Sequence, residues 1–129
     1  MGTHVVQQLA LLGVGRITLI DKEELDTTNL NRYVGARHYD PIPGTPKVNI
    51  GYSQVKEINP NIHVELIPHS LISEQAFNAI IKASHVFGCL DNDGARLILN
   101  ELCAAYTLPY IDLASEIIPS NSTDYGGRV

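Results

Sequence analysis

Polar residues that suit nucleotide chemistry stand at the ends of apolar runs in this sequence. Asp21 closes one such run, where a carboxylate can accept hydrogen bonds from both hydroxyls of a ribose. Gly2 precedes Asp21 by nineteen residues, close to the ~20 residues that separate a phosphate loop from a ribose-binding acid. Position alone also fits a surface Asp at the end of a strand, so both interpretations stay open.

Gly2 and Thr3 begin a predicted helix, whose first N–H groups are free to hold a phosphate. Gly13 and Gly15 follow that helix and precede a strand, which is the reverse of a phosphate-binding loop. We therefore interpret Gly13 as a left-handed helix terminator.

The segment from Leu25 to Gly35, LDTTNLNRYVG, supplies planar amide and guanidinium donors in a predicted loop. Asn29 and Arg32 are its candidate phosphate ligands, because a guanidinium donates two hydrogen bonds and keeps its charge. Lys47 opens the next helix, where a cation opposes the helix dipole unless an anion lies nearby. A polyphosphate would explain this lysine, while a solvated loop and a surface lysine remain the simpler alternatives.

Asp91 ends the most hydrophobic predicted strand, within GCLDNDGAR. A carboxylate there can hold Mg²⁺, which prefers one or two carboxylates together with phosphate oxygens. We interpret Asp93 as the N-cap of the following helix. Arg96 lies one turn further and either braces this loop or pairs with Asp91.

The elements that must position these residues alternate between helix and strand. Apolar residues at three-to-four spacing predict helices, and short β-branched or alternating runs predict strands. Single helices between strands favour right-handed crossovers and a doubly wound parallel α/β sheet, covered on both faces. We predict helices over residues 3–12, 46–59, 73–84 and 93–107, strands over 16–20, 63–68, 85–90 and 109–114, and the start of one more strand in the polar tail.

The composition is that of one small domain over residues 1–129, with a net charge of −5 that disfavours nucleic acids and anionic membranes as partners. The sequence lacks an apolar run of the ~18 residues that a membrane span needs. Cys89 and Cys103 are interpreted as reduced thiols of a cytoplasmic protein, Cys103 in the core, with a disulfide as the minor alternative. The spacing of the five histidines assigns none of them to a metal.

Four motifs in order resemble the adenylation domain of the ThiF/MoeB/HesA superfamily, which includes the ubiquitin-activating enzymes. The resemblance covers Gly2 to Ser115 and rests on THVVQQLALLGVGRITLIDKEELDTTNLNR, GTPKV, INPNIHVELI and GCLDNDGARLILNELCAAYTLPYID. It implies a Rossmann-like nucleotide-binding domain. The implied reaction is ATP-dependent adenylation of the C-terminal carboxylate of a ubiquitin-like or sulfur-carrier protein, with release of pyrophosphate.

The same resemblance assigns roles to individual residues. Asp21 matches the acid that binds the ribose, and Lys47 matches the phosphate-binding lysine of the PKV motif. Asn29 and Arg32 match the residues of the NLNR loop that contact the ATP phosphates, with Arg32 also counted as catalytic. Asp91 matches the aspartate that positions Mg²⁺ and is needed for adenylation.

Three departures from the family pattern shape what we expect of this chain. The family opens with a strand and a GxGGxG-(S/T) loop, of which the final Gly2-Thr3 is present. The zinc-binding CxxC pairs, the acyl-accepting cysteine and an N-terminal arginine of some members have no counterpart in the sequence. On this interpretation the chain is a fragment truncated at both ends. We expect it to bind ATP alone only beyond ~1 mM, to catalyse no adenylation alone, and to form a homodimer or other oligomer.

Two other functions remain open from the sequence. The chain could be a catalytically inactive partner or remnant of such an enzyme, acting as a binding module. An NAD(P)-binding domain ranks lowest, because the NLNR, PKV and DND series has no purpose in a dehydrogenase.

Overall fold

The computed structural model describes residues 1–40, 44–117 and 125–128, with side-chain surroundings for residues 1–40 and 44–114. These residues fall into two compact units. The N-terminal unit is Thr3–Ala79, and the C-terminal unit consists of Met1–Gly2 and Ile80–Val129. The expectation of a single domain over residues 1–129 stays a prediction.

The N-terminal unit contains a strand–helix–strand arrangement. Strands β1 and β2 pair in parallel, with Arg16 opposite His63 and Ile20 opposite Ile67. Parallel neighbours need a crossover connection, which α2 supplies. The elements are α1 (Gly2–Leu12), β1 (Arg16–Ile20), a 3-10 helix (Thr27–Asn29), α2 (Lys47–Ile58), β2 (His63–Ile67) and α3 (Glu74–Ile80).

Two glycines shape this unit. Gly13 has a φ of +73° and follows α1 directly, which confirms it as the left-handed terminator. Gly51 lies on α2, and a Cβ added there would come within 2.8 Å of Leu19 Cδ1, so a larger residue would require the Leu19 side chain of β1 to shift. The buried centre beneath this packing consists of Ala10, Ile17, Val55 and Ile62.

The C-terminal unit repeats the strand–helix–strand arrangement and adds a hairpin. Strands β3 (Val86–Gly88) and β4 (Tyr110–Asp112) pair in parallel, and α4 (Asp93–Ala105) connects them. Strands β5 (Ala114–Ile117) and β6 (Tyr125–Arg128) pair antiparallel. Parallel pairing is thus confirmed for both crossover pairs, while the hairpin departs from an all-parallel arrangement.

Several predicted boundaries were wrong by a few residues. The strand predicted over 85–90 is shorter, because only Val86–Gly88 have ladder partners in β4. The run predicted as one strand over 109–114 divides into β4 and the beginning of β5. Helix α3 ends at Ile80 instead of Ser84, where Ala83 N–H bonds to the Ile80 carbonyl in a tight turn. Residues 120–124 and 129 of the polar tail lie outside the described residues.

The predicted helix starts are corrected at two places and confirmed at one. Asn92, not Asp93, is the N-cap of α4, because its extended backbone directs the side-chain oxygen to Ala95 N at 3.0 Å. Pro46 is likewise the N-cap of α2 and not part of its first turn. Ser73 caps α3, in agreement with the helix predicted to begin at this residue, since its Oγ accepts from Ala76 N at 3.2 Å. In the described part of the chain, every helix is too short or too polar to cross a membrane.

Candidate functional site

The stretch that follows β1 is tied to the residues that lead into α2. Leu25 N donates to Thr45 O, and Lys47 N donates to Glu23 O, both at 2.9 Å. An isolated antiparallel bridge between Glu24 and Pro46 lies between these two bonds. This pairing brings the acidic segment after β1 to the first residue of α2, more than twenty positions away in the sequence.

Lys47 is held by a carboxylate and an aromatic ring. Its Nζ forms an ion pair with Glu23 Oε2 and lies 5.7 Å from the centre of the Tyr33 ring. The Lys47 side chain is only 13% exposed, whereas that of Glu23 is 52% exposed. Glu23 therefore offsets the cost of a cation at a helix N-terminus. An ammonium has three donors, so this ion pair leaves Lys47 with capacity for an anion.

Tyr33 contacts Lys47 and lies near enough to Asp21 to be affected by its charge. Its hydroxyl lies 3.4 Å from the Lys47 carbonyl oxygen. Burial, together with the charges of Asp21 and Glu23, raises the pKa of Tyr33 far above its usual range, so the phenol stays neutral. Asp21 Oδ1 in turn accepts a hydrogen bond from Glu23 N at 2.9 Å. We call Asp21, Glu23, Tyr33 and Lys47 the Lys47 cluster.

The NLNR loop is rigidified by its own side chains. Asp26 Oδ1 accepts from Thr28 N at 2.8 Å, which lowers the pKa of Asp26, and Asn29 Oδ1 accepts from Asp26 N at 3.2 Å. These two bonds form a capping box around the 3-10 helix. The amide oxygen of Asn29 is thus used within the loop.

Arg32 folds back onto the same loop and remains exposed. Its Nη1 donates to Thr28 O at 2.7 Å and to Asn31 Oδ1 at 3.0 Å. Neither its Nε nor its Nη2 has a hydrogen-bond partner among the described residues. The guanidinium is therefore oriented by the loop while part of its donor fork stays free.

In the C-terminal unit, Arg96 joins α4 to β4. Its Nε donates to the two carboxylate oxygens of Asp112 at 3.1 and 3.0 Å, and its Nη2 forms an ion pair with the same group. A weaker contact of 3.3 Å reaches Asp93 Oδ1. Of the two roles predicted for Arg96, pairing with Asp91 was wrong, because Asp112 takes the guanidinium instead.

Asp91 lies between β3 and α4 and is exposed. Its carboxylate makes no hydrogen bond or ion pair with any described residue. Asn92 directly after it is held by its capping bond, so the backbone that carries Asp91 is anchored at the start of α4. A carboxylate that is exposed and unengaged can take a ligand without first breaking a protein contact.

The remaining predicted residues are Gly2 and Thr3 and the two cysteines. Gly2 and Thr3 form the first turn of α1, and Thr3 is 5% exposed. Both cysteines are free thiols, and Cys103 is buried as expected. Burial raises the pKa of the Cys89 and Cys103 thiols, which disfavours the thiolate that nucleophilic chemistry needs.

A family model described as the ThiF family matches residues 1–123. The chain belongs to the ThiF family. The described fold agrees with this membership, since members of known structure have the same α/β adenylation fold. The crystal structure of Escherichia coli MccB with ATP matches 88% of this chain and 34% of its own, with a TM-score of 0.76 at 26% identity.

Curated proteins similar to this chain include adenylyltransferases. The molybdopterin-synthase adenylyltransferase of Escherichia coli is 33% identical over 117 residues, which are 89% of this chain and 45% of that protein. The adenylyltransferase and sulfurtransferase UBA4 of Lodderomyces elongisporus is 31% identical over 103 residues, 80% of this chain and 22% of that protein. This chain therefore spans less than half the length of these two relatives.

Sequence reasoning missed two residues of the Lys47 cluster, Glu23 and Tyr33. The available signal was the cation at the start of α2, for which the sequence suggested a phosphate or a surface position but not a carboxylate partner. Glu23 stands two positions after Asp21, and only the pairing of residues 23–25 with 45–47 brings it to Lys47.

The N-cap of α4 should contribute measurably to the free energy of unfolding. Replacing Asn92 with Ala leaves the Ala95 N–H without its acceptor, and we expect a loss of ~1 kcal/mol in the free energy of unfolding. Asn92→Asp is the matched control, because its carboxylate keeps an acceptor and suits a helix N-terminus. Urea denaturation of the three proteins measures the difference, and equal losses in both variants would contradict the capping role.

The Glu23–Lys47 pair should make the free energy of unfolding depend on pH in the acidic range. The hydrogen bond and charge of Lys47 lower the pKa of Glu23 below its ordinary value of 4.5. The stabilisation is therefore complete above about pH 4.5 and is lost as the pH falls through the lowered folded-state pKa. Because Glu23 is half exposed, we expect at most about 1 kcal/mol. Denaturation midpoints at several pH values should show a shallower acid limb in Glu23→Gln than in the parent, and parallel curves would argue against the pair.

Proposed function

We propose that this chain is the ATP-binding part of an adenylyltransferase that activates the C-terminal carboxylate of a ubiquitin-like or sulfur-carrier protein. The observation that carries the proposal is the Lys47 cluster. A largely buried lysine at a helix start, paired with the Glu23 carboxylate and lying near the Tyr33 ring, occurs in a chain of the ThiF family. Relatives of the family are named for adenylation of molybdopterin synthase and of the sulfur carrier ThiS.

Charge explains what the proposed phosphate ligands do. An acceptor carboxylate and a triphosphate repel each other, so catalysis depends on cations that neutralise both and on holding them in line. Arg32 offers the free part of its fork, and Lys47 offers the donors that Glu23 leaves unused. Asn29 supplies its amide nitrogen, and the first N–H groups of α1 at Gly2 and Thr3 supply further donors.

Asp21 would hold the ribose in this scheme. Its carboxylate is half-buried and already anchored by the Glu23 N–H, so its orientation is defined before a nucleotide arrives. A carboxylate accepts from two neighbouring hydroxyls, which fits the ribose of ATP. In the reaction a carrier carboxylate oxygen bonds to the α-phosphorus, the bond from that phosphorus to the bridging oxygen breaks, and pyrophosphate leaves with the electron pair.

The carboxylate of Asp91 is the kind of ligand that suits Mg²⁺. The carboxylate is exposed and unengaged, and the described residues contain no group of three His, Cys, Asp or Glu side chains that would form a metal cage. Mg²⁺ is characteristically held by one or two carboxylates with substrate phosphates and water, which suits a lone acid. When bound, the ion would neutralise phosphate charge, and Asp91 would fix its position.

The test is carrier-dependent exchange of radiolabelled pyrophosphate into ATP by the full-length protein. A sulfur carrier with a free C-terminus should support exchange, and the same carrier with an amidated C-terminus should not, because the amide offers no attacking carboxylate. Equal exchange with the free and the amidated carrier would contradict the proposal that the C-terminal carboxylate is the acceptor. Carrier binding without exchange would point to the inactive-partner alternative.

A further inference from the structure

The loop that carries Asp91 is a short connection between β3 and α4. It consists of residues 89–92, since β3 ends at Gly88 and α4 begins at Asp93. Because the Asp91 carboxylate makes no hydrogen bond or ion pair with a described residue, its position depends on where the two ends of the loop are held. The contacts at these two ends therefore decide where the carboxylate lies.

The β3 end of the loop is fixed to β4. Gly88 pairs with Asp112 in the parallel ladder, and Leu113 N donates to Gly88 O at 2.7 Å. The Tyr110 ring packs closely against Gly88, since a Cβ added there would lie 2.8 Å from Tyr110 Cε2. The residue from which the loop departs is thus held by Asp112 and its neighbours in the chain.

The α4 end of the loop is fixed to the same residue of β4. Arg96 Nε donates to both carboxylate oxygens of Asp112 at 3.1 and 3.0 Å, and Arg96 Nη2 forms an ion pair with this group. The backbone N–H of Arg96 bonds to the carbonyl oxygen of Asn92, the last residue of the loop, at 3.0 Å. The side chain of Arg96 is 14% exposed and that of Asp112 is 28% exposed, so the pair is largely shielded from solvent. A guanidinium that engages both oxygens of a carboxylate adds a defined geometry to the charge attraction.

We propose that Arg96 and Asp112 are positioning residues for Asp91. Asp112 is the shared anchor, because its backbone pairs with Gly88 while its carboxylate holds Arg96. One residue of β4 thereby fixes both ends of the loop, and Asp91 is placed before a metal ion arrives, which reduces the cost of ordering on binding. The inference rests on the metal role proposed for Asp91, and it does not require Arg96 or Asp112 to touch the nucleotide.

The first experiment measures metal binding without turnover. Mn²⁺ prefers the same oxygen ligands as Mg²⁺ and broadens the NMR signals of nearby nuclei. It is titrated, together with ATP and without a carrier, into ¹⁵N-labelled full-length protein, and the backbone amide signal of Asn92 is followed. We expect this signal to broaden saturably in the parent and to resist broadening in Asp91→Asn.

Two conservative variants test the anchor. Asp112→Asn keeps an oxygen for Arg96 Nε but loses the charge, and Arg96→Lys keeps the charge but loses the planar fork. We expect each variant to weaken the apparent Mn²⁺ affinity by about 10- to 100-fold, the loss typical of residues that orient a metal-binding group. Asp93→Asn is the matched control, because it removes the other carboxylate near Arg96, at 3.3 Å, and leaves Asp112 in place. It should bind Mn²⁺ as the parent does.

The second experiment asks whether the effect of Asp112 depends on Asp91. Asp112→Asn should lower carrier-dependent ATP–pyrophosphate exchange by about tenfold or more in the parent. In the Asp91→Asn background the same change should cause no further loss, because the carboxylate to be positioned is absent. Residues that contribute independently have additive free energies, so a purely structural role of Asp112 would lower exchange by the same factor in both backgrounds.

Several outcomes would overturn the inference. Parental Mn²⁺ affinity in a folded Asp112→Asn, or in Arg96→Lys where the first variant does not fold, would contradict the anchor. Weaker Mn²⁺ binding in Asp112→Asn with parental binding in Arg96→Lys would make Asp112 itself a metal ligand. Equal losses of exchange in both backgrounds would make the pair structural.

Failure of the proposed function gives a different pattern. Parental Mn²⁺ broadening in Asp91→Asn would refute the metal role of Asp91 and this inference with it. If Asp91→Asn loses the broadening but the parent shows no carrier-dependent exchange, the proposed adenylation of a carrier is refuted, and the Mn²⁺ titrations of Asp112→Asn and Arg96→Lys still decide the positioning role.

Discussion

Asp91→Asn should lower carrier-dependent ATP–pyrophosphate exchange by at least ~10²-fold, the loss typical when one group that stabilises charge in the transition state is removed. The amide is nearly isosteric with the carboxylate and is a poor ligand for Mg²⁺, which prefers charged oxygens. Asp91 makes no bond to the described protein, so the fold should not change. We therefore expect ATP affinity to stay within a few-fold of the parent in calorimetric titrations.

Asp93→Asn is the matched control for this result. Asp93 lies two positions further, in the first turn of α4, with its carboxylate 3.3 Å from Arg96. If the role belongs to Asp91 and not to the general negative charge of this loop, Asp93→Asn should retain most of the exchange activity. Near-parental exchange in Asp91→Asn would rule out the metal role, and equal losses in both variants would assign the effect to the loop's charge.

Arg32→Ala and Lys47→Ala should each weaken ATP more than AMP. A hydrogen bond to a charged group contributes ~1.5–3 kcal/mol, which corresponds to roughly a 10- to 150-fold rise in the Kd for ATP. AMP lacks the outer phosphates, so its Kd should change much less. Titration of ATP and of AMP against both variants gives the ratio of the two affinities directly.

Arg37→Ala serves as the control for charge alone. This exposed arginine follows the same loop and pairs with Glu57, outside the Lys47 cluster. Its loss should leave the ratio of ATP to AMP affinity unchanged. Equal losses for the two nucleotides in Arg32→Ala and Lys47→Ala would remove both residues from the triphosphate. Glu23→Gln adds a further distinction, since it frees Lys47 without removing its charge.

Local patterns in the sequence were enough to predict most elements. The apolar spacing of α1 and α4 and the β-branched run of β1 depend on residues within a few positions of one another, so periodicity alone predicts them. The strand end before Asp21 follows from the same patterns, whereas Asp91 lies three residues beyond the end of β3 instead of directly after a strand. Element ends were less accurate, because a strand such as β3 extends only as far as its partner β4 provides ladder bonds.

The sequence by itself determined the alternation of helix and strand, the left-handed end of α1 at Gly13, and the family to which the chain belongs. Only the tertiary structure decided which charges pair. Glu23 reaches Lys47 because the backbone pairs residues 23–25 with 45–47. Arg96 pairs with Asp112 because α4 packs against β4. Residues that neighbour one another within a helix or strand are specified by spacing. Ion-pair partners more than fifteen positions apart depend on how the elements pack against one another, and local patterns in a single sequence do not specify that packing.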